Sequence, residues 1–387
     1  LAVPQAGALM TDLGAQTVKV ESPSGDTWRG FRLDNYGWDE APPTNPMIEI
    51  DNRGKQSIAI NLDHPDGRAV VHRLARDADV FLTNLVPARQ SRYGLDYATL
   101  AALNPRLVYL SLSAYGEMGQ ERDRLGFDYH AYWSRAGILH AMADDSRPPA
   151  NPRPGMGDHA TAPLLLAGIL TALFERERSG LGQRVSTSLL NAGMWANGCD
   201  LQSVLTTGTG PRREPREAYV APLRNTFRSS DGRWFMMGVP EAYWPAFCRL
   251  MDRPEWQVDP RFQTGRLRSQ NRRELLALVD PVFAAETLDE WGRRFDAHGI
   301  LWAPLQDWLE VVKDPQVRAN GYITEVEHPV YGRMETLNTP LKFSRSEVGP
   351  KGPAPEAGQH TEEVLLAAGY DWEEIGRLRE AGAVGLA

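Results

Sequence analysis

Between residues 17 and 113 short β-rich runs alternate with segments of helical periodicity, which restricts the chain to a narrow set of folds. The β-rich runs are 18–21, 57–62, 80–84 and 107–111. Between them, 65–76 and 97–103 carry apolar residues at helical spacing, and Asn104-Pro105 stops the second. Parallel strands need crossovers of this length, so the pattern predicts an α/β, doubly wound sheet.

The 387 residues exceed what one core usually organises, so a second unit is expected. A helix is predicted over 162–178, where Leu164, Leu165, Ile169 and Phe174 recur at helical spacing and Gly180 and Gly182 supply a stop. Residues 206–222, with Gly208, Gly210, Pro211 and a charged run from Arg212 to Glu217, read as an exposed linker. From Phe227 the character changes: a Ser-Asp-Gly turn at 230–232, a strand over 234–239, then helices rich in Trp and Arg, which together predict a smaller α+β domain. His328-Pro329 and the Pro-rich 350–355 mark an extended return, followed by helices starting near Thr361 and Asp371, the latter with Glu374 as a capping pair. The expected boundaries are a linker at 206–224, a small domain of 225–312 and a second linker at 313–320, with 1–205 and 321–387 lying outside them.

The formal net charge of -8 argues against nucleic acid or an acidic membrane surface as partner. Two cysteines, Cys199 and Cys248, make no disulfide framework, and no Cys/His spacing points to a metal site, so a reducing cytoplasm is the expected location. The most apolar stretch, 161–174, contains Pro163 and is short for a membrane span; no basic-then-apolar leader opens the sequence, which begins without Met inside a motif. The sequence lacks GxxxxGK[ST], HExxH and GxSxG, and no GxGxxG follows a strand; Gly180-Leu181-Gly182 follows a helix and reads as its C-cap. A thiol enzyme built on Cys199 would need a partner that the sequence does not supply.

The informative stretch is Gly155-Met156-Gly157-Asp158-His159, ahead of the apolar helix. Asp158 has two readings. As a helix N-cap it would be structural. However, Pro163 fits a first turn best, which makes Thr161 the expected cap and leaves Asp158 upstream of it. Helix N-terminus and glycine amides would then keep Asp158 ionised and stabilise an oxyanion on a carbonyl that it attacks, as a covalent nucleophile requires.

Gln5-Ala6-Gly7, the run from Leu13 to Glu21, Asn52-Arg53-Gly54-Lys55, Asn84-Leu85-Val86-Pro87, Gly126-Phe127-Asp128-Tyr129, Gly157-Asp158 and Gly358-Gln359-His360-Thr361 form an ordered set that resembles the class III CoA-transferases, the carnitine and bile-acid CoA-transferase (CaiB/BaiF) family. The resemblance runs nearly end to end, and the family's first strand would precede Gln5. It implies a Rossmann-like large domain built from both chain ends, a smaller inserted α+β domain, and an interlocked, ring-like homodimer. It also implies CoA transfer through aspartyl anhydride and aspartyl-CoA thioester intermediates at Asp158. Acyl-CoA and a carboxylic acid are the implied substrates, with no tightly bound cofactor and no metal. By matching position, CoA or substrate contacts fall on Gln5, Ala6, Ile60, Asn61, Asn84, Leu85, Val86, Arg92, Phe127, Asp128, Tyr129, His130 and Gly157, and basic groups for the CoA phosphates are sought at Arg29, Lys55, Arg89 and Arg92. Tyr132, Trp133 and Trp195 are candidates for an acyl pocket.

Two departures matter. Glu21-Ser22 stands where some members have Glu-Arg, and no Gly-rich loop lies between Ala218 and Ser229, which argues against oxalate or formate as substrate. Inside the family the rival activity is a 2-methylacyl-CoA racemase, which moves an α-proton between a His and an Asp. Its His sits in Gly-His-Asp; here the sequence is Gly126-Phe127-Asp128, leaving His130 or His159 as substitutes. The rival from another class is a non-catalytic acyl-CoA-binding protein.

Overall fold

The structure, a computed structural model, describes residues 1–40, 42–143 and 148–385. The chain forms two compact units, one of Leu1–Leu139, Asn151–Thr209 and Gln316–Ala387, the other of His140–Ala150 and Gly210–Pro315.

In the first unit, α1 (Ala2–Asp12) precedes β1 (Val18–Glu21), α2 (Pro46–Asn52), β2 (Gln56–Ile60), α3 (Pro65–Asp77), β3 (Val80–Thr83), α4 (Pro87–Tyr93), α5 (Tyr97–Leu103) and β4 (Val108–Ser113). A π-helical turn at Tyr129–Arg135 and the short α6 (Ile138–Met142) lead on to α7 (Met156–Ser179) and β5 (Arg184–Ser188). The strand–helix alternation gives two small sheets. β1 runs parallel to β2, with Val20 opposite Ile58, while β3, β4 and β5 are parallel in that order, with Leu110 opposite both Leu82 and Val185. Every residue of β4 is buried, because strands flank it on both sides and helices cover its faces. Proline opens α2, α3 and α4, where a missing N–H costs nothing.

α7 packs Leu165, Leu166 and Ile169 on Leu110, Leu112, Ala6 and Leu9, which fixes its N-terminus beside that of α1. By length and composition α7 could cross a bilayer, which the 161–174 stretch alone does not suggest, yet its inner face belongs to this core. A second core gathers Ile58, Ile60, Val70, Leu100 and Tyr109 with Val364, Leu365 and Ile375 from the returning chain. There Thr361–Ala367 and Trp372–Glu380 are helical, and Asp371 and Glu374 make the expected reciprocal capping box.

The second unit holds β6 (Arg224–Arg228), β7 (Trp234–Gly238) and β8 (Leu301–Pro304) as a three-stranded antiparallel sheet, with helices between β7 and β8. Its aromatic core contains Phe227, Phe235, Phe247, Phe283, Trp291 and Phe295. Residues 210–224 lie within this unit, where Arg216 forms a double hydrogen bond with Asp280 and Ala218 is buried. The remaining strands, the hairpin of β9 (Ile323–His328) and β10 (Gly332–Leu337) and the short β11 (Val384–Gly385) antiparallel to β2, belong to the first unit. Arg53 pairs with Asp12 inside it and donates to the Leu337 carbonyl, tying α1 to the hairpin.

Candidate functional site

α7 begins earlier than Pro163 led us to expect. Gly155, at φ 81°, is its N-cap, Met156 its first residue, and Asp158 lies in its first turn. Thr161 is not a cap: its hydroxyl donates to the Gly157 carbonyl within the helix. The left-handed backbone at Gly155 sets the start, and Pro163 sits in the interior, where it removes the donor that the His159 carbonyl would otherwise meet.

Asp158 is therefore no N-cap. It is 8% exposed, and among the described residues its carboxylate accepts no hydrogen bond from a protein group. Its pKa is pushed up to about 6, first by burial and then by the carboxylates of Asp128 and Asp51, against the opposing charge of His159. Its place in the first turn of α7 puts this carboxylate at the positive end of the helix dipole, which favours an anion.

Three neighbours frame it. Asp128, buried, accepts from the Gly157 amide (2.9 Å) with one oxygen and from the Tyr129 amide (2.8 Å) with the other. Gly157 lies so close to the Tyr132 ring that only glycine fits. His159 Nε2 stands 3.0 Å from Oδ1 of Asp51, a residue of α2. This partner raises the His159 pKa although burial, the largest single influence, pulls it down. With its amide assigned so that the nitrogen meets these acceptors, Gln5 donates to Asp51 Oδ1 (2.6 Å) and to the Ile50 carbonyl, which joins α1 to the group. Asp51 was not singled out in the sequence. Nothing local marks it, since the contact joins two helices far apart in the chain.

A second group of expected residues lies on the loops after β2 and β3. Asn61 accepts from the Asp63 amide, and Asp63 pairs with Arg92 at 2.7 Å, so Arg92 is exposed but already has an anionic partner. Asn84, Leu85 and Val86 follow β3, and the Ala88 amide donates to Asp123 (2.8 Å), linking this loop to the segment that leads to Phe127. Phe127, Tyr129 and His130 form an exposed aromatic trio, with Tyr129 and His130 centroids 4.1 Å apart. Ala6 and Ile60 are wholly in the core, side chain and backbone alike.

Two of the basic candidates are engaged inside the fold. Lys55 donates to the carbonyls of Pro4 and Asp51 (both 2.7 Å) and to Asn52 Oδ1 (3.0 Å), and complete burial pushes its pKa well below the ordinary lysine range. Arg29 forks onto Glu21 and donates to the Pro355 carbonyl. Arg89 is exposed. Of the acyl-pocket candidates, Tyr132 abuts Gly157, Trp133 packs in the α7 core and Trp195 is 82% exposed. Cys199 is exposed, whereas burial pushes the Cys248 thiol up to about 12, which leaves it unreactive.

The family model described as CoA-transferase family III matches residues 1–361. Over its length the chain is 29% identical to (R)-2-hydroxy-4-methylpentanoate CoA-transferase of Clostridioides difficile, covering 99% of this chain and 96% of that protein. It is 33% identical to an acyl-CoA transferase of Fusarium pseudograminearum, covering 99% and 85%. The crystal structure of a CaiB/BaiF family protein from Brucella suis superposes with a TM-score of 0.82 at 27% identity, over 95% of this chain and 96% of that one.

Proposed function

Because the chain belongs to CoA-transferase family III, we propose that it moves CoA from an acyl-CoA donor to a carboxylic acid acceptor with Asp158 as the covalent nucleophile. The observation that carries this reading is a buried carboxylate in the first turn of α7 that caps nothing, accepts no protein hydrogen bond among the described residues and ionises near pH 6.

In the proposed sequence, the Asp158 carboxylate attacks the donor thioester and expels CoA thiolate, leaving an aspartyl–acyl anhydride. The thiolate attacks the Asp158 carbonyl of that anhydride, which gives aspartyl-CoA thioester and frees the donor carboxylate. The acceptor carboxylate opens this thioester to a second anhydride and releases thiolate again. Thiolate attack on the acceptor acyl carbon yields the new acyl-CoA and restores Asp158. Each step exchanges one anion for another, so no net proton is needed, and anhydride and thioester are close enough in reactivity for every step to reverse. The positive end of the α7 dipole is suited to the oxyanions of these steps.

We place CoA along the loops that follow β2, β3 and β4, since ligands of open parallel sheets bind beyond the carboxyl ends of the strands. Asn61, Asn84, Leu85 and Val86 lie on the loops after β2 and β3, Arg92 on α4 that follows, and the stretch from Phe127 to His130 at the start of the π-helical turn beyond β4. The same reading makes the first unit Rossmann-like and the protein a cytoplasmic, interlocked homodimer. Apolar residues exposed along and beyond α7, such as Leu170, Phe174 (63%), Trp195 and Leu205, support a second copy as their cover. Replacing Asp158 by Asn or Ala should abolish CoA exchange between acyl-CoAs and free acids while the far-ultraviolet circular dichroism stays unchanged. Retained α-proton exchange into deuterated water without CoA transfer would select the racemase instead.

A further inference from the structure

The proposed exchange needs Asp158 charged at the outset and passes that negative charge to the CoA thiolate released beside it. Its surroundings work against that. Asp128 faces it from the segment after β4 and Asp51 from α2, both buried carboxylates, while Lys55, next to Asp51, has its ammonium on main-chain carbonyls and Asn52. From α1 comes the uncharged Gln5 amide. On α7 itself the next residue is His159, whose Nε2 meets Asp51 Oδ1 at 3.0 Å. Asp51 is 1% exposed and its Oδ2 has no partner among the described residues, so Gln5 and His159 bear its compensation at Oδ1. A buried carboxylate so placed favours the imidazolium over the neutral ring.

We propose that His159, clamped by Asp51, is a positioning residue for the nucleophile: its imidazolium supplies the positive charge that keeps Asp158 ionised and offsets the thiolate released next to it. Asp51 acts through His159, and Gln5 holds Asp51 in register with it. This assignment rests on Asp158 as nucleophile for its purpose, but not for its measurement.

The test uses the full chain labelled with ¹³Cγ-aspartate and with ¹³C in the histidine ring, with Asp158→Asn and His159→Gln assigning the two signals. The Asp158 carboxyl should titrate near 6 in the wild type and about one unit higher in His159→Gln. The wild-type His159 ring should titrate above 6.5 and drop in Asp51→Asn. Covalent labelling of Asp158 by acetyl-, isobutyryl- and succinyl-CoA should slow about tenfold at pH 5 in His159→Gln and be unchanged at pH 8.5, the consequence of a one-unit shift. A folded His159→Gln protein with the Asp158 midpoint unmoved overturns the proposal. So does a wild-type ring titrating below 6.5, which decides the matter if the variant does not fold. Absence of any adduct in the wild type defeats the nucleophile reading alone, while the two midpoints still decide the role of His159.

Discussion

Gly157 rests directly against the ring of Tyr132: a Cβ at position 157 would come within 2.9 Å of Tyr132 Cγ and Cδ1 and 3.0 Å of Asp128 Cβ. The same glycine donates its amide to Asp128, so the backbone entering the nucleophile's turn is gripped from two sides. The substitution Gly157→Ala should therefore destabilise the protein by about 1–3 kcal/mol, the range for overfilling a packed site. It should also cut CoA exchange by displacing Asp158. Thermal unfolding of Gly157→Ala, Tyr132→Leu and the double variant checks this: the double should recover stability relative to the sum of the singles.

Asp158 makes stability depend on pH in a direction opposite to that of most carboxylates. Its pKa is about 6 in the folded chain against 3.8 when unperturbed, so the folded state holds the proton more tightly. Stability is then highest below the unfolded value and declines as pH rises through about 6. Asp158→Asn should be more stable than the wild type at pH 8, by at most about 3 kcal/mol, with the gain vanishing at low pH. Urea denaturation of both proteins at pH 4.5 and pH 8 measures it.

The acid limb of the activity profile should move the other way when a like charge is removed. In Asp128→Asn the side-chain oxygen still accepts one amide, but the negative charge facing Asp158 is gone. The midpoint of the acid limb should fall by up to about one pH unit. The lost second acceptor costs about 1 kcal/mol of stability. Rates of CoA exchange between pH 4.5 and 8 follow this directly.

Much of the fold can be read along the chain because local rules suffice there. The run from Val18 to Glu21 is a strand, α5 stops at Asn104-Pro105, and Asp371 with Glu374 caps its helix. Asp158 was also visible, because glycines and an apolar helix surround it. Its exact place in the helix was not, since Gly155 starts α7 by its backbone conformation while Pro163 offers a stronger but misleading local signal. Lys55 and Arg29 look like phosphate ligands in sequence; only their tertiary neighbours, main-chain carbonyls and Glu21, reveal where their charges go. Asp51 stayed hidden for the same reason, because its partner lies on a distant helix.

The buried pair of Arg53 and Asp12 should matter for stability rather than for turnover. Both are almost wholly inaccessible, and Arg53 also reaches Leu337. Asp12→Asn leaves the guanidinium without its anion and should cost about 3 kcal/mol. Calorimetry should record the loss, with exchange activity per folded molecule preserved.

The central claim, covalent CoA transfer at Asp158, is met most directly by peptide mass spectrometry of protein quenched after exposure to a panel of acyl-CoAs. The account predicts an acyl or CoA adduct on the peptide holding Asp158, released by hydroxylamine and absent in Asp158→Asn. An adduct on another residue, or none with any thioester while α-protons exchange with deuterated water, would contradict it.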